Sequence, residues 1–532
     1  MLIWIILGCL FGALYMYLRQ VYSFFEKRGV KTPNIISSFG AILDILLQRK
    51  HTTDSLYTNY NRFSDQRFYG LFTITIPTVE IRDIELIKRI AIKDFEYFHD
   101  HNTVISEETD PLFGKNLLSL KGQKWKDMRS TLSPAFTSSK MKLMLPLMVE
   151  VGDRIIFSLK KKIEESQGYL DIDMKDLTTR YANDVIASCA FGLKVESDKD
   201  ENNKFYTIGK SIASFKVSQI FIFLTLLLFP KAGKIFDLSL FPKKVQDFYR
   251  TLVKETMQTR ELQKIVRPDM IHLLLEAKKG KLTHDQKSSQ DKDAGFATAE
   301  ESSIGQNQIN KVWTDDDLCA QVILFFMAGF ESVSTAMSFL MYELAVNPDV
   351  QEKLYQEIKE NEAKNNGKFD YNSIQNMVYM DMVVSETLRL WTAGFALDRC
   401  CTKDYNLGKP NDEATEDFII HKGQSVQIPV WAIHRDPKYF PNPNKFDPER
   451  FSEKNKHNIK PFTYMPFGLG PRNCIGSRFA LCEIKVMAYQ ILNSIEVSPS
   501  NKTVIPAKVD PTSFNLRAKG GHWTRVKIRK EV

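Results

Sequence analysis

A loop crowded with glycine surrounds one cysteine, and a helical pattern starts directly after it. The stretch FGLGPRNCIGSRFALCEI begins at Phe467 and places Cys474 among Gly468, Gly470 and Gly476. Glycines at such positions permit a tight turn and the close approach of a large, flat group. Backbone N–H groups of the turn and the N-terminus of the next helix stabilise a thiolate, the form of cysteine that binds metals. A lone cysteine is by default a small core residue, so the loop alone leaves both interpretations open.

Further motifs decide between these interpretations. The loop matches F-x-x-G-x-R-x-C-x-G, the haem-thiolate signature of the cytochrome P450 family. Other motifs of this family follow in the family's order: W-x-x-x-R in WKDMR, A-G-x-[DE]-T approximated by AGFES, E-x-x-R in SETLR and P-E-R-F in FDPERF. The chain therefore resembles a cytochrome P450 over residues 30–530. Phrases such as VILFFMAGFE and HRDPKYFPNPNKFDPERF look similar to insect microsomal members of the detoxifying type.

The resemblance implies a mainly α-helical fold with small β-sheets, in which a long central helix passes over a haem. It implies a monooxygenase that inserts one oxygen atom from O2 into lipophilic substrates. Haem b is the implied cofactor, and NADPH supplies electrons indirectly through NADPH–cytochrome P450 reductase. Cytochrome b5 is a candidate second partner, and membrane lipid is a third.

The substrate class stays open at this point. Xenobiotics such as plant toxins or insecticides are the main hypothesis, and an endogenous lipid, fatty acid or hormone is the alternative. A reductase-independent haem-thiolate isomerase is also possible within the family, but such relatives tend to lack the acid–hydroxyl pair that this chain keeps as Glu331 and Ser332. A haem-binding sensor without turnover is disfavoured by the complete set of motifs.

Composition agrees with one large catalytic body. The chain has 532 residues, of which 43% are hydrophobic and 26% charged, enough to bury a large core. Its seven cysteines form no C-x-x-C pair, which favours a reducing compartment. The net charge of +8 is small for this length, and no basic stripe is interleaved with aromatics, so nucleic acid is not an expected partner. We expect one haem-thiolate domain over residues 34–532.

The N-terminal run MLIWIILGCLFGALYMYL carries no charge and is just long enough to span a bilayer. Basic residues follow it, beginning with Arg19, and none precedes it, so the positive-inside rule places the rest of the chain in the cytosol. A cleaved signal peptide is the alternative, but it needs a charged leader and a small-residue cleavage site, and neither is evident. We predict a single-pass anchor at residues 1–18, a linker at 19–33 and a location in the endoplasmic reticulum membrane.

Hydrophobic periodicity predicts the main elements of the body. A capping box at Thr314 and Asp317 starts a long helix that Asn347-Pro348 ends. Its middle is apolar nearly all round, which indicates a core helix. Residues 70–82 and 417–430 alternate as strands do. Residues 278–312 are polar without periodicity and predict a flexible surface loop.

The apolar block FIFLTLLLFP, at residues 221–230, is too short to span a bilayer. One interpretation is a buried helix segment. The other is a second membrane contact or an access lid for apolar substrates, with flanking lysines reaching toward the headgroups. The sequence leaves both open.

Several residues acquire a role in cofactor binding through the resemblance. Cys474 would be the axial ligand of the haem iron. Arginines suit the haem carboxylates because they are permanently charged and bind carboxylates with two hydrogen bonds. His101 matches a further basic position of the family less closely. The residues implied to contact the haem besides Cys474 are Trp125, Arg129, Arg399, Arg472, Phe467, Gly468 and Gly476.

The middle of the long helix carries the implied machinery of oxygen chemistry, Ala328, Gly329, Glu331 and Ser332. Gly329 removes a side chain where oxygen must fit, and the Ser332 hydroxyl can bond the carbonyl of residue 328 and loosen the helix. The family usually has threonine at this position, and serine lacks the methyl group that fixes the rotamer. Proton delivery should survive, with poorer coupling of electrons to product.

A second departure from the family lies in LWTAG, where Thr392 replaces a common proline. In relatives this segment lines the substrate side of the haem, so Thr392 and Gly394 are expected to loosen it. Which substrates that admits stays open.

Glu386, Arg389 and Arg450 are implied to hold the fold and not to perform chemistry. Glu386 and Arg389 are three residues apart and share one helix face. A solvated surface pair is the plain alternative, whereas the family pattern implies a buried ion pair that also engages Arg450. For reductase docking, candidate contacts near the cysteine face are Lys124, Lys126 and Lys485.

Overall fold

The computed structural model describes residues 2–103, 105–107, 110, 112–200, 202–213, 217–236, 238–279, 296–298, 313–367 and 369–530. The predicted surface loop at 278–312 lies outside these residues except at 278–279 and 296–298. In the described part, helices predominate and the strands are short, which confirms the predicted fold class.

The helices are α1 (Leu2–Glu26), α2 (Ile35–Leu46), α3 (Thr52–Arg62), α4 (Ile84–Lys88), α5 (Gly122–Leu132), α6 (Ser138–Glu164), α7 (Met174–Ile186), α8 (Lys204–Ala213), α9 (Val217–Leu228), α10 (Pro230–Ile235), α11 (Lys243–Gln263), α12 (Met270–Lys278), α13 (Asp315–Ala328), α14 (Ser334–Val346), α15 (Pro348–Lys364), α16 (Tyr371–Gln375), α17 (Val378–Leu390), α18 (Val430–Ile433) and α19 (Ser477–Ser494). The strands are β1 (Phe68–Thr73), β2 (Ile76–Ile81), β3 (Leu170–Asp173), β4 (Leu397–Cys400), β5 (Tyr405–Gly408), β6 (Phe418–Ile420), β7 (Ser425–Ile428), β8 (Ile495–Pro499) and β9 (Trp523–Ile528).

In the described part of the chain, three small sheets flank the helical body. Their strand orders are β1-β2-β7-β4, β3-β9-β8 and β5-β6. Within the first sheet β2 pairs with β7 in parallel, and the other pairings are antiparallel. The predicted strand at 70–82 is wrong in one respect, because the chain reverses at Ile74, with φ 61°, and forms the hairpin β1–β2. The strands predicted within 417–430 are present as β6 and β7.

The long helix passes through the core as predicted. Thr314 accepts a hydrogen bond from Asp317 N at 3.2 Å and donates its own backbone N–H to Asp317 at 3.0 Å, which completes the capping box. Helix α13 continues through a π-helical turn at Gly329–Val333 into α14, and Asn347 ends it. Among the described residues, 315–346 form the one helix whose length and hydropathy would suit a membrane span. Its burial instead marks it as the central helix of the body.

Helix α1 runs to Glu26, eight residues beyond the predicted end of the apolar run at residue 18. The extension packs on the first sheet, where Tyr22 donates a hydrogen bond to Ile74 O at 2.7 Å and the Phe25 ring lies 5.2 Å from the Phe72 ring. The chain leaves the helix at Gly29, with φ 68°. The first part of the predicted linker is therefore helical, and the membrane anchor stays a prediction.

The 221–230 block forms most of α9 and its exit. Leu226 is buried, but the phenylalanines on either side are not: Phe221 is 63% exposed and Phe229 65%. These exposed rings favour a surface contact with apolar material over a fully buried helix segment.

The ion pair predicted between Glu386 and Arg389 is fully buried. Glu386 accepts hydrogen bonds from Arg389 Nε at 2.7 Å and Nη2 at 2.8 Å, and Arg450 Nε lies 3.3 Å from its Oε1 atom. Arg389 also donates to His434 O at 2.6 Å. His434 Nε2 in turn accepts a hydrogen bond from Met465 N at 2.9 Å. The pair thereby ties α17 to the segment that leads into the cysteine loop.

We predict that Glu386→Gln lowers the free energy of unfolding by about 3–5 kcal/mol, because two guanidinium groups would stay buried without their counter-charge. Chemical unfolding followed by tryptophan fluorescence measures the loss. The matched control is Glu449→Gln, since Glu449 pairs with Lys353 on the surface at 2.6 Å and its replacement should cost at most about 0.5 kcal/mol. Equal losses in the two variants would contradict the structural role of the buried pair.

Candidate functional site: the cavity of the cysteine loop

The cysteine loop is closed by backbone contacts. Cys474 N donates a hydrogen bond to Phe467 O at 2.8 Å, and Gly468 and Gly470 have φ angles of 79° and 67°. A Cβ atom at Gly470 would lie 1.9 Å from Ala91 O, so no other residue fits there without displacing the backbone. Gly476 differs, since it precedes α19 with φ −93° and a Cβ there would meet nothing closer than 3.7 Å.

The loop opens onto a cavity of about 420 Å³. The Cys474 side chain is exposed to this cavity. Burial raises the pKa of its thiol, while the backbone N–H of Gly476 and the charge of Arg129 act in the opposite direction. All eight residues predicted to contact the cofactor line the cavity: Cys474, Trp125, Arg129, Arg399, Arg472, Phe467, Gly468 and Gly476.

Three arginines meet along one part of the cavity wall. Arg472 stacks on the Trp125 ring with its guanidinium carbon 3.9 Å from the ring centroid. It donates to the backbone oxygens of three residues, His99, Leu117 and Leu120. Arg129 donates to Asn473 O at 2.9 Å and to Asn473 Oδ1 at 2.8 Å, next to the cysteine. The arginines are thus held in place by the protein backbone.

Arg399 is 1% exposed, and its Nε atom has no hydrogen-bond partner among the described residues. Burial lowers its pKa to about 10, and Asp398 opposes that shift. Burial likewise lowers the pKa of Arg472 to about 9, with Arg399 and Arg129 adding repulsion. Guanidinium groups that repel each other and retain an unused donor favour an anionic ligand beside them.

Most of the rest of the wall is apolar, with contributions from the residues just before α6, from α6, α7 and α13, and from β4. Examples are Phe136, Met144, Ile186, Phe325 and Leu397. A flat apolar ring system with carboxylates on one edge matches these two surfaces, and a thiol stands ready as a ligand. The residues present therefore fit a haem bound through Cys474.

The central helix borders the cavity at its π-helical turn. Ala328, Gly329 and Ser332 line the cavity, and Ser332 Oγ donates a hydrogen bond to Ala328 O as the sequence predicted. A Cβ atom at Gly329 would lie 3.1 Å from Cδ1 of Ile186, a tight contact. The π-helical turn widens the helix at Gly329–Val333. The Ser332 hydroxyl, which faces the cavity, lies within this turn.

Glu331 is adjacent to Ser332 but does not line the cavity. Its Oε1 atom lies 3.3 Å from Lys175 Nζ and 3.5 Å from Arg517 Nη2. Its Oε2 atom is buried without a partner among the described residues. Burial lowers the pKa of Lys175 to about 8, and Glu331 opposes that shift. The acid of the predicted pair is thus held outside the cavity lining by two cations, Lys175 and Arg517, that the sequence did not predict.

Thr392, the second departure from the family, is fully buried, and its hydroxyl has no partner among the described residues. The next two residues, Ala393 and Gly394, line the cavity. Small side chains at these positions leave room beside the cysteine loop.

One predicted docking residue is corrected by the structure. Lys485 is fully buried in α19 and forms an ion pair with Asp381 at 3.0 Å, so it is not a surface contact. Its position on a helix that is buried on nearly every face explains the error. Lys124 and Lys126 do lie on the surface, where they pair with Glu107 at 2.8 Å and Glu96 at 2.9 Å. Cys482, eight residues after Cys474, is a buried core residue.

Comparison with known proteins agrees with the site. The family model for Cytochrome P450 matches residues 31–525. Cytochrome P450 9e2 of Blattella germanica is 44% identical over 520 residues, which cover 96% of this chain and 94% of that protein. Probable cytochrome P450 9f2 of Drosophila melanogaster is 40% identical over 514 residues, or 94% of each chain. Cytochrome P450 6j1 of Blattella germanica is 36% identical over 513 residues, or 96% of this chain and 95% of that one.

These matches span nearly the whole chain and come from insects. The chain therefore belongs to the cytochrome P450 family. It is a monooxygenase of that family, and haem is its cofactor.

We predict that Gly470→Ala sharply lowers the ratio of haem to protein after purification. The added Cβ atom would collide with Ala91 O at 1.9 Å, and the positive φ alone costs on the order of 1–3 kcal/mol in a non-glycine residue. Gly40→Ala is the control, because a Cβ atom there would meet nothing within 4 Å and Gly40 does not line the cavity, so this variant should keep its haem. Absorbance of bound haem relative to protein decides, and equal haem content in both variants would contradict the packing argument.

Proposed function

We propose that this cytochrome P450 oxidises lipophilic xenobiotics, such as plant toxins or insecticides. The observation that carries the proposal is the cavity itself, because the Cys474 thiol, the Ser332 hydroxyl and a largely apolar wall all face it. An apolar wall favours substrates with little polar surface. Small residues in the cavity wall, among them Ala328, Ala393 and Gly394, allow bulky substrates to approach the cofactor.

The residues of the chain have separable tasks in this reaction. Haem, when bound, supplies the oxygen and electron chemistry. Cys474 would bind the haem iron as a thiolate, and the cysteine loop fixes its sulfur. Ser332 holds a proton at Oγ, which is hydrogen-bonded to Ala328 O and can pass it to a water in the cavity. Glu331, one residue away, would leave Lys175 and Arg517, take up a proton from solvent water and pass it through water to the Ser332 oxygen after Ser332 has given up its own proton.

Electrons would come from NADPH through NADPH–cytochrome P450 reductase, with cytochrome b5 as a second donor. Lys124 and Lys126 are the remaining candidate contacts for the acidic surface of the reductase. They belong to α5, the helix that also carries Trp125 and Arg129, so a docked partner would sit close to the cofactor.

The membrane would be that of the endoplasmic reticulum. Residues 1–18 would serve as a single-pass anchor, 19–33 as its connection and 34–532 as the cytosolic catalytic domain. In α1, Trp4 is 77% exposed and Met16 67%, which suits lipid contact better than water. Phe221 and Phe229 would form a second contact that brings apolar substrates toward the body.

The test is turnover by the full-length chain in phospholipid vesicles with reductase and NADPH. A panel of plant allelochemicals, insecticides, fatty acids and steroids should yield products carrying one added oxygen, with the first two classes oxidised fastest. Selective oxidation of a fatty acid or steroid would favour the endogenous alternative. Rearranged product without NADPH would identify an isomerase and contradict the proposal.

We predict that Ser332→Ala lowers product formed per NADPH by roughly tenfold or more and raises peroxide release, because the cavity would lose the hydroxyl that positions a proton. Ser332→Thr should keep or improve coupling. Ser338→Ala is the matched control, since Ser338 also bonds a helix carbonyl, Thr335 O at 2.9 Å, but does not line the cavity. Unchanged coupling in Ser332→Ala would remove this hydroxyl from proton delivery.

A further inference from the structure

Asp398 and His101 form a hydrogen-bonded pair beside the three cavity arginines. Nδ1 of His101 lies 3.0 Å from Oδ1 of Asp398. His101 lines the cavity, and no hydrogen bond joins its Nε2 atom to any residue in the described ranges. We propose that Asp398 is a positioning residue that holds His101 so that Nε2 donates a hydrogen bond to a carboxylate of the bound haem.

Two backbone contacts make this pair rigid. Asp398 Oδ2 accepts a hydrogen bond from Asn102 N at 2.7 Å, so the carboxylate grips the backbone next to His101 as well as its ring. One residue earlier, Asp100 O accepts a hydrogen bond from Cys400 N at 2.7 Å. The segment that carries His101 is therefore fastened at two points to β4, the strand that carries Arg399.

The protons of the pair follow from its geometry. Burial opposes ionisation of Asp398, but His101, the Asn102 amide and Arg399 outweigh it and lower the pKa of Asp398 to about 2. An ionised carboxylate only accepts hydrogen bonds, so Nδ1 of His101 must carry the donated proton. In the neutral ring, Nε2 then presents a lone pair to the cavity, which a haem carboxylate repels. Only the imidazolium form donates from both nitrogens.

His101 would therefore act as a proton-dependent clamp. Burial lowers its pKa, Asp398 raises it, and Arg399 and Arg472 lower it. A haem carboxylate would raise the pKa of His101 above its value in the haem-free protein. The stabilising contact is then fully present below the haem-free pKa and is lost as the pH rises through the haem-bound pKa. Arg472 and Arg399, with pKa values of about 9 and about 10, titrate above the neutral range, so the pH dependence below about pH 7.5 belongs to the histidine.

The experiment measures the rate of haem transfer from the full-length holoenzyme to an excess of haem-free myoglobin, from about pH 5.5 to about pH 7.5, below the titration of the cavity arginines. The wild-type rate should rise with pH. His101→Gln should release haem roughly tenfold faster at the acidic end, the worth of one charge-assisted hydrogen bond, and lose the pH dependence. His101→Arg should release haem slowly at every pH, because a permanent cation replaces the titrating one.

Asp398→Asn separates the positioning role from a merely structural one. It keeps the shape of the pair but removes the charge that favours the imidazolium, so its release profile should keep the wild-type form with the midpoint at lower pH. His421→Gln is the matched control: Nδ1 of His421 lies 3.0 Å from Oδ2 of Asp404 in an exposed pair, His421 does not line the cavity, and its replacement should leave the profile unchanged. A wild-type profile in His101→Gln, or an unmoved midpoint in Asp398→Asn, overturns the proposal. If His101→Gln retains too little haem to assay, the His101→Arg and Asp398→Asn profiles decide.

Discussion

The backbone that holds Cys474 is the constraint on which the other features of the site depend. A ligand sulfur is useful only if the chain presents it without strain and keeps it in one place. Gly470 allows the loop to press against Ala91 O, Phe467 O fixes the Cys474 amide, and Arg129 holds Asn473 from the opposite side. Behind the loop, the buried pair of Glu386 and Arg389 holds the segment that leads into it. Rigidity is therefore built from backbone contacts and buried charge together.

The same arrangement concentrates positive charge around an apolar cavity. Arg399 and Arg129 both repel Arg472, and burial disfavours the charged forms of Arg399 and Arg472. In the haem-free protein this cluster lowers the stability of the fold, since buried cations cost free energy. The two carboxylates of a bound haem would pair with these cations and remove that cost, which favours binding. The apolar faces of the haem would contact the remaining wall. The protein contributes position, charge and exclusion of water, while the cofactor contributes the oxygen chemistry.

Local patterns in the sequence predicted most of what local physics determines. The capping box at Thr314, the break at Asn347 and the Ser332 hydroxyl bond follow from short local patterns. The resemblance to the family implied the eight predicted cofactor contacts that line the cavity. The β1–β2 hairpin was missed because its turn begins at Ile74, which gives no glycine or asparagine signal.

Contacts between segments that are distant in the chain could not be predicted from local sequence patterns. Lys175 and Arg517 stand 156 and 186 residues from Glu331, and the burial of Lys485 depends on the packing of the whole body around α19. Membrane insertion of α1 depends on the lipid bilayer, which is outside the protein.

The central claim is that the cysteine loop delivers Cys474 as the axial ligand of a haem, and the carbon monoxide spectrum of the reduced protein tests it most directly. The account predicts a thiolate-type Soret band that is absent in Cys474→Ala, whereas a band typical of histidine ligation, or a thiolate band that survives the substitution, would contradict it.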